Sequence, residues 1–351
     1  MQDNYCATVK RRRFSVIYAE KESLDYPIAR HILEKYPDCP VILIEQYKHV
    51  FHRHNQNFRW QKSHPALILA VKKPPFLYDG PPVCQSFGCK HFYYSSPLMN
   101  CPFDCSYCFL QAMFPSAYTV AFVNLSDFAR EIADTAKRHA PDKVYIAASY
   151  DTDLAAFQSV YPYQEALVSE LVDYDASVAK NLVLEFRTKS ADSSFFRHHP
   201  RSVTSAEILS ALVFAFTLSP DACIERYERG TPRLDSRMAA IRIAQASGYS
   251  IRLCFDPVFP EKDLLPLYPT FFDRVFGGLN GEQILDVSHG FFRMSDEYFR
   301  RIKRANPGSR LFSQAFPRGD VVSYDADLCA EIRAEHVALL SQYIDKERIF
   351  T

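Results

Sequence analysis

The sequence carries no net charge: 41 Lys and Arg residues balance 41 Asp and Glu residues over 351 positions. A global basic field that gathers nucleic acid is therefore excluded, and any such surface has to be local. No apolar run approaches the roughly 18 residues of a membrane-spanning helix. The opening MQDNYCATVKRRRF has no apolar signal-peptide segment, so no membrane association and a reducing cytoplasm are the expectations. Internal repeats and low-complexity tracts are missing too. The ten cysteines are scattered through a chain far too long for a disulfide miniprotein. What remains is room for one large domain or two unequal ones, with 48% hydrophobic and 14% aromatic residues.

What is present is concentrated in NCPFDCSYCFLQ. Here Cys101, Cys105 and Cys108 stand at C-x3-C-x2-C, with Tyr107 just before the last. Three such thiolates suit three irons of a 4Fe-4S cluster, which usually takes four cysteines. Supplying three leaves one iron open to a small molecule, as catalytic metal sites leave a position open. Structural zinc is the rival. It usually needs a second Cys or His pair, and Cys84 and Cys89 are the residues available to complete one. The triple resembles the signature of the radical S-adenosylmethionine (SAM) enzymes. That resemblance implies SAM held on the open iron, an electron delivered from the cluster, and a 5′-deoxyadenosyl radical that abstracts hydrogen.

Hydrophobic patterning predicts strands at 14–20, 41–45 and 67–71 and a helix over 27–36, with Asp25 as its cap and Pro27 at its start. This reads as a small N-terminal α/β unit, residues 1–82, closed by the proline-rich KKPPFLYDGPP. Beyond it, strands at 92–99, 144–149, 181–188, 212–218, 249–256 and 283–290 alternate with helices at 126–139, 162–178, 232–247, 262–276 and 295–305. Such alternation argues for a parallel sheet with crossover helices. The fold class expected is α/β, a partial (β/α)6 TIM-like radical SAM barrel over 83–351, with function at the carboxyl ends of its strands. Thr231 and Pro232 mark the start of one helix and Gly248 its end. A final helix over 327–344 presents Leu328, Ile332, His336, Leu339 and Leu340 to the barrel. AFPRGDVVSY reads as a short hairpin with Arg318 and Gly319 at its turn.

The whole chain resembles the spore photoproduct lyase family of radical SAM proteins. FSVIYAEKESLDYPIARHILEKY is similar to that family's N-terminal unit, and CSYCFLQ to its cluster loop. ERYERGTPRLDSRMAAIRIAQASGY and FDPVFP are similar to its later barrel. The resemblance implies that Cys101, Cys105 and Cys108 ligate iron and that Tyr107 and Phe109 lie at the SAM site. It also implies that Lys189, in FRTKS, meets the SAM carboxylate, and that Thr217, in FAFTLS, lies near the cofactor. Asp151 and Asp153, in AASYDTDL, either hold SAM ribose or substrate or cap the next helix.

Two positions depart from the family. Lyases that repair spore photoproduct carry a hydrogen-donor cysteine where this chain has Tyr150, and a relay tyrosine where it has Phe109. Tyr150 either donates a hydrogen atom itself or packs at a strand end with its hydroxyl bonded. The resemblance therefore implies a nucleic-acid substrate, DNA or RNA, such as a DNA photoproduct; a small molecule or protein is the alternative. An external electron donor and a monomeric state are expected. The segment 48–64 interleaves Lys48, Arg53, Arg59 and Lys62 with Phe51, Phe58 and Trp60, and suits either a nucleic-acid backbone or a solvated loop. The run RRIKR at 300–304 reads as a solvated helix face.

Overall fold

The computed structural model describes residues 14–174, 176–199, 201, 207–317 and 319–351. Its strands form two main sheets. The second contains Leu77–Asp79, His91–Ser95, Val144–Ala147, Leu182–Thr188, Leu212–Thr217, Ile251–Val258, Ile284–Phe291 and Ile349–Phe350, neighbouring one another in chain order. From His91–Ser95 onward every pairing is parallel, and only Leu77–Asp79 joins antiparallel. Parallel strands buried on both faces read as continuous apolar runs. Val144–Ala147 and Leu212–Thr217 are buried at every residue. The six strands expected of a partial barrel are all here.

Helices cover this sheet through apolar stripes. Leu125–His139 buries Leu125, Phe128, Ala129, Ile132, Ala133 and Ala136, the three- and four-residue spacing of one helix face. Ala326–Leu340 starts at Asp325, whose carboxylate accepts from the backbone N–H groups of Asp327 and Leu328. Its buried face is Cys329, Ile332, His336 and Leu340 rather than one containing Leu328, which is 38% exposed. His336 Nδ1 lies 2.9 Å from His289 Nε2 on Ile284–Phe291, so this helix does pack on the barrel.

The first sheet runs Val41–Ile44, Ile17–Glu20, Leu67–Ala70, Thr119–Phe122, Leu98–Met99. The last two come from beyond residue 82, while Leu77–Asp79 belongs to the second sheet, so the sheets exchange chain across that residue. Apolar patterning reveals a strand but not its partner, and parallel partners are remote in sequence. The expected single strand 92–99 divides for the same reason. Pro97 separates His91–Ser95 in one sheet from Leu98–Met99 in the other.

Smaller corrections concern caps and turns. Tyr26, not Asp25, occupies the cap position of Pro27–Lys35, without a side-chain bond. The helix expected at 232 begins at Leu234, because the Thr231 hydroxyl donates to the Glu228 carbonyl instead of capping. The helix expected over 162–178 is two, Tyr163–Leu171 and Ala176–Asn181. Val321–Ser323 pairs with Arg293–Ser295 and not across a turn at Gly319; Arg318 lies outside the described residues. On Asp296–Ala305, Arg300 pairs with Asp296 and Arg301 with Glu297 one turn away, as on a solvated face. No helix among the described residues is long and apolar enough to cross a membrane.

Candidate functional site

The cysteine loop is held by contacts on every side. Asn100 takes a left-handed backbone, φ 68°, which asparagine tolerates. Its side-chain amide donates to the Ser116 and Tyr118 carbonyls at 2.7 Å each, and its own carbonyl accepts from Thr152. Asp104–Cys105 pairs antiparallel with Glu228–Arg229. Arg59 grips Asp104 with two bonds of 2.9 and 3.0 Å, and Lys62 donates to the carbonyls of Cys101 and Phe103 at 2.8 and 2.7 Å. Arg59 and Lys62 of the basic, aromatic segment thus turn toward the cysteine loop. They clamp the cysteines.

Cys101, Cys105 and Cys108 line one cavity of about 470 Å³. Tyr107, Lys189 and Thr217 line it as well, and so do Phe109 and Tyr150. Lys189 directly follows Leu182–Thr188 and Thr217 ends Leu212–Thr217, so the cavity opens at the carboxyl ends of the parallel strands. No group of three or more His, Cys, Asp or Glu among the described residues is arranged for a single metal ion. A tetrahedral ion with Zn–S bonds of about 2.3 Å draws its sulfurs to within about 4 Å of one another. A cluster that places a separate iron under each thiolate holds them farther apart. Three cysteine sulfurs lining one cavity are a donor set that three irons of a 4Fe-4S cluster can take. Cys84 lines the cavity beside Tyr150 while Cys89 does not, so the two do not act together as a second zinc pair.

Tyr107 and Lys189, which line the cavity, stand against the buried Glu228. Tyr107 donates its hydroxyl to Glu228 at 2.6 Å, and Lys189 Nζ lies 5.6 Å from the centre of the Tyr107 ring. Burial pushes the Glu228 carboxyl up, but the Arg237 and Lys189 cations outweigh burial and hold it below its ordinary value. Burial works against the Lys189 cation, and Glu228 reverses that, leaving it raised. An ammonium held charged at a strand end can receive a carboxylate.

The two aspartates are both committed inside the protein. Asp153 accepts from the Thr188 hydroxyl and from the backbone N–H groups of Lys189 and Ala156, so it fixes the strand end that carries Lys189. Asp151 does not line the cavity. Its Oδ2 accepts from Ser96, and its buried Oδ1 has no partner among the described residues. The expected role for Asp151 at SAM or substrate is therefore not supported by its position.

Burial pushes Asp151 up to about 6 against the Ser96 hydrogen bond. In an unfolded chain the carboxyl titrates near 3.9. Between roughly pH 4 and 6 the folded state keeps a proton that the unfolded state has released, so stability falls as pH rises through that window. About two units amount to about 3 kcal/mol. In Asp151→Asn this component should vanish. Urea midpoints for wild type and variant, compared at pH ~4 and ~7, should show the wild type alone losing that increment.

Residues 13–317 match the family model for spore photoproduct lyase. The chain belongs to the spore photoproduct lyase family. It is a radical SAM enzyme of the lyase class. The spore photoproduct lyase of Bacillus subtilis (strain 168) is 22% identical over 312 residues, covering 86% of this chain and 82% of that protein. A spore photoproduct lyase complexed with dinucleoside spore photoproduct superposes with a TM-score of 0.77 at 18% identity, over 97% of this chain and 98% of the other. A mutant of spore photoproduct lyase with bound AdoMet and dinucleoside spore photoproduct gives the same score, identity and coverage. At that identity the superposition establishes the fold.

Within this lyase family fold, sequence reasoning found the cavity wall but not its supports. Glu228 and Arg237 lie within ERYERGTPRLDSRMAAIRIAQASGY, where nothing local singles them out; what distinguishes them is complete burial of opposite charges nine residues apart. Nothing in the sequence around Cys84 indicates that it reaches Tyr150.

Proposed function

We propose that this lyase family member holds a 4Fe-4S cluster on Cys101, Cys105 and Cys108 and binds SAM beside it. The observation that carries the reading is one cavity, at strand carboxyl ends, that gathers three cysteine sulfurs, the Lys189 ammonium and Tyr107. Lys189 would receive the SAM carboxylate, with Tyr107 and Phe109 flanking the cofactor and Thr217 closing the floor. Bound there, cluster and cofactor supply reductive cleavage of SAM and a 5′-deoxyadenosyl radical for hydrogen abstraction, given an external low-potential electron donor.

The substrate we propose is a nucleic-acid photoproduct, as the names of the relatives state for those proteins. The rest of the cavity supports this choice. Phe92, Tyr145, Tyr150, Phe291 and Tyr298 line it, and aromatic walls accept the flat faces of pyrimidines. A small-molecule or protein substrate is the second reading, motivated by Tyr150 and Phe109 at the two positions where the family's hydrogen relay differs.

Anaerobic reconstitution, dithionite reduction and chromatographic detection of 5′-deoxyadenosine, with and without ultraviolet-irradiated DNA, decides between them. Formation that rises with irradiated DNA, together with restored thymine, is the expected result. Formation that ignores DNA would move the substrate to the second reading. None from a protein with a full cluster would overturn the enzyme mechanism.

A further inference from the structure

Side chains two apart on a strand share a face. On Leu182–Thr188 that alternation brings Glu185 and Arg187 to the cavity, which Lys189 also lines just past the strand end. Ser149 fixes the Arg187 backbone: its hydroxyl accepts from the Arg187 N–H at 2.9 Å and donates to the Arg187 carbonyl at 3.0 Å. The Arg187 Nε donates to Glu185 at 3.1 Å, and Glu185 is held in turn by Arg252, which Asp286 grips as well. One edge of the Arg187 guanidinium is thereby anchored. Both of its terminal nitrogens lack an acceptor among the described residues, and Glu185 is its only ion-pair partner there.

An opposite charge lines the same cavity. Asp256 comes from Ile251–Val258, two strands away in the sheet. It is half-buried, and its carboxylate makes no side-chain hydrogen bond or ion pair among the described residues. A Cβ at Gly290 would stand 3.1 Å from the Asp256 carboxyl carbon and 3.2 Å from each of its oxygens, so glycine on the neighbouring strand keeps room for that carboxylate. The charges of Arg187 and Asp256 act on one another and both act on the Cys84 thiol, which puts the three at one part of the cavity. A cation and an anion so placed, yet not joined as an ion pair, leave donors on one side and acceptors on the other for a third molecule.

We infer that Arg187 and Asp256 form a subsite that reads the edges of the pyrimidine pair, with Arg187 donating to an imide carbonyl and Asp256 accepting from an imide N3–H. This deepens the photoproduct reading above and rests on it. The chemistry of the two groups selects the ligand class. A phosphate would suit Arg187 but be repelled by Asp256, and an ammonium the reverse. A neutral ring with an N–H between two carbonyls satisfies both, and thymine keeps that edge whether or not its C5–C6 bond is saturated. Cytosine has an unprotonated N3, which would set lone pair against lone pair at Asp256. The aromatic residues that line the cavity meet the ring faces, and this pair meets the edges.

The test uses the reconstituted, reduced full-length enzyme with SAM and two probes, dinucleoside spore photoproduct and the same compound methylated at N3 of both rings. Methylation should cost wild type at least about tenfold in kcat/KM for repair, because it leaves the Asp256 carboxylate unpaired. Asp256→Ala should lose about as much on the unmethylated photoproduct and nothing further on methylation, a non-additivity that a merely structural role would not produce. Arg187→Lys keeps the charge but not the planar fork, and should raise KM. Wild type that repairs both probes equally well would overturn the inference alone, whether or not the variants fold. An Arg187→Lys defect confined to the phosphodiester-linked photoproduct would assign the guanidinium to phosphate and overturn its imide role. Wild type that cleaves SAM but repairs neither probe would remove the photoproduct reading and this inference together.

Discussion

Cys105→Ala is expected to lose essentially all cluster iron and all 5′-deoxyadenosine formation while remaining folded. Cys105 is the middle member of the triple and the most buried of the three, in a two-residue strand pairing with Glu228–Arg229. That pairing uses backbone atoms, and the Cys105 carbonyl is also held by Gln111 at 2.7 Å. Alanine keeps all of these bonds and removes only the sulfur. Two remaining thiolates leave two irons without protein ligands, and a cluster already one ligand short of the usual four would not survive. Iron quantification after anaerobic reconstitution reads the first effect and chromatography the second. Unchanged far-UV circular dichroism and thermal midpoint exclude unfolding as the cause. Full iron content in this variant would sink the ligand assignment.

How far the sequence reached follows from what each feature depends on. The barrel strands were legible because burial on both faces leaves an unbroken apolar run, as in Leu212–Thr217, whose identity needs no knowledge of its neighbours. The cysteine loop was legible because its chemistry is written within eight residues. Sheet membership was not, since Thr119–Phe122 pairs with Leu67–Ala70 across some fifty residues and apolar patterning is silent on the choice. Charged residues misled most. Lys62 and Arg59 read as surface cations, yet they reach across roughly forty residues to the cysteine loop. Asp151 and Asp153 stand two apart with the same chemistry. The first turns to Ser96 behind the cavity, and the second to the strand end bearing Lys189. Local sequence cannot separate them, because the difference lies in which distant donor each meets.

Arg237→Met is expected to cost about 3–5 kcal/mol of stability, the range found when one partner of a buried ion pair is removed. Arg237 and Glu228 are 0% and 1% exposed. The guanidinium donates to Glu228 at 2.5 Å, to the Thr217 and Pro232 carbonyls at 2.9 Å each, and to the Thr231 hydroxyl at 2.6 Å. Methionine fills much of the volume but leaves a buried carboxylate with, among the described residues, only the Tyr107 and Ser219 hydroxyls as hydrogen-bond donors. Against a typical total of about 5–15 kcal/mol, that loss is large enough to shift a urea midpoint plainly. Adding Glu228→Gln to Arg237→Met removes the stranded charge and should recover part of the loss, whereas two independent sites would simply add. Arg274→Ala is the contrast: its pairs with Asp221 and Asp235 lie near the surface, where such pairs contribute about 0–1 kcal/mol. SAM cleavage should fall in Arg237→Met even where the protein is still folded, because the carboxylate that orients Tyr107 and keeps Lys189 charged loses its own anchor. A double variant no more stable than Arg237→Met would mean that the cost lies in the lost carbonyl bonds, and that Glu228 is not the anion beside Tyr107 and Lys189.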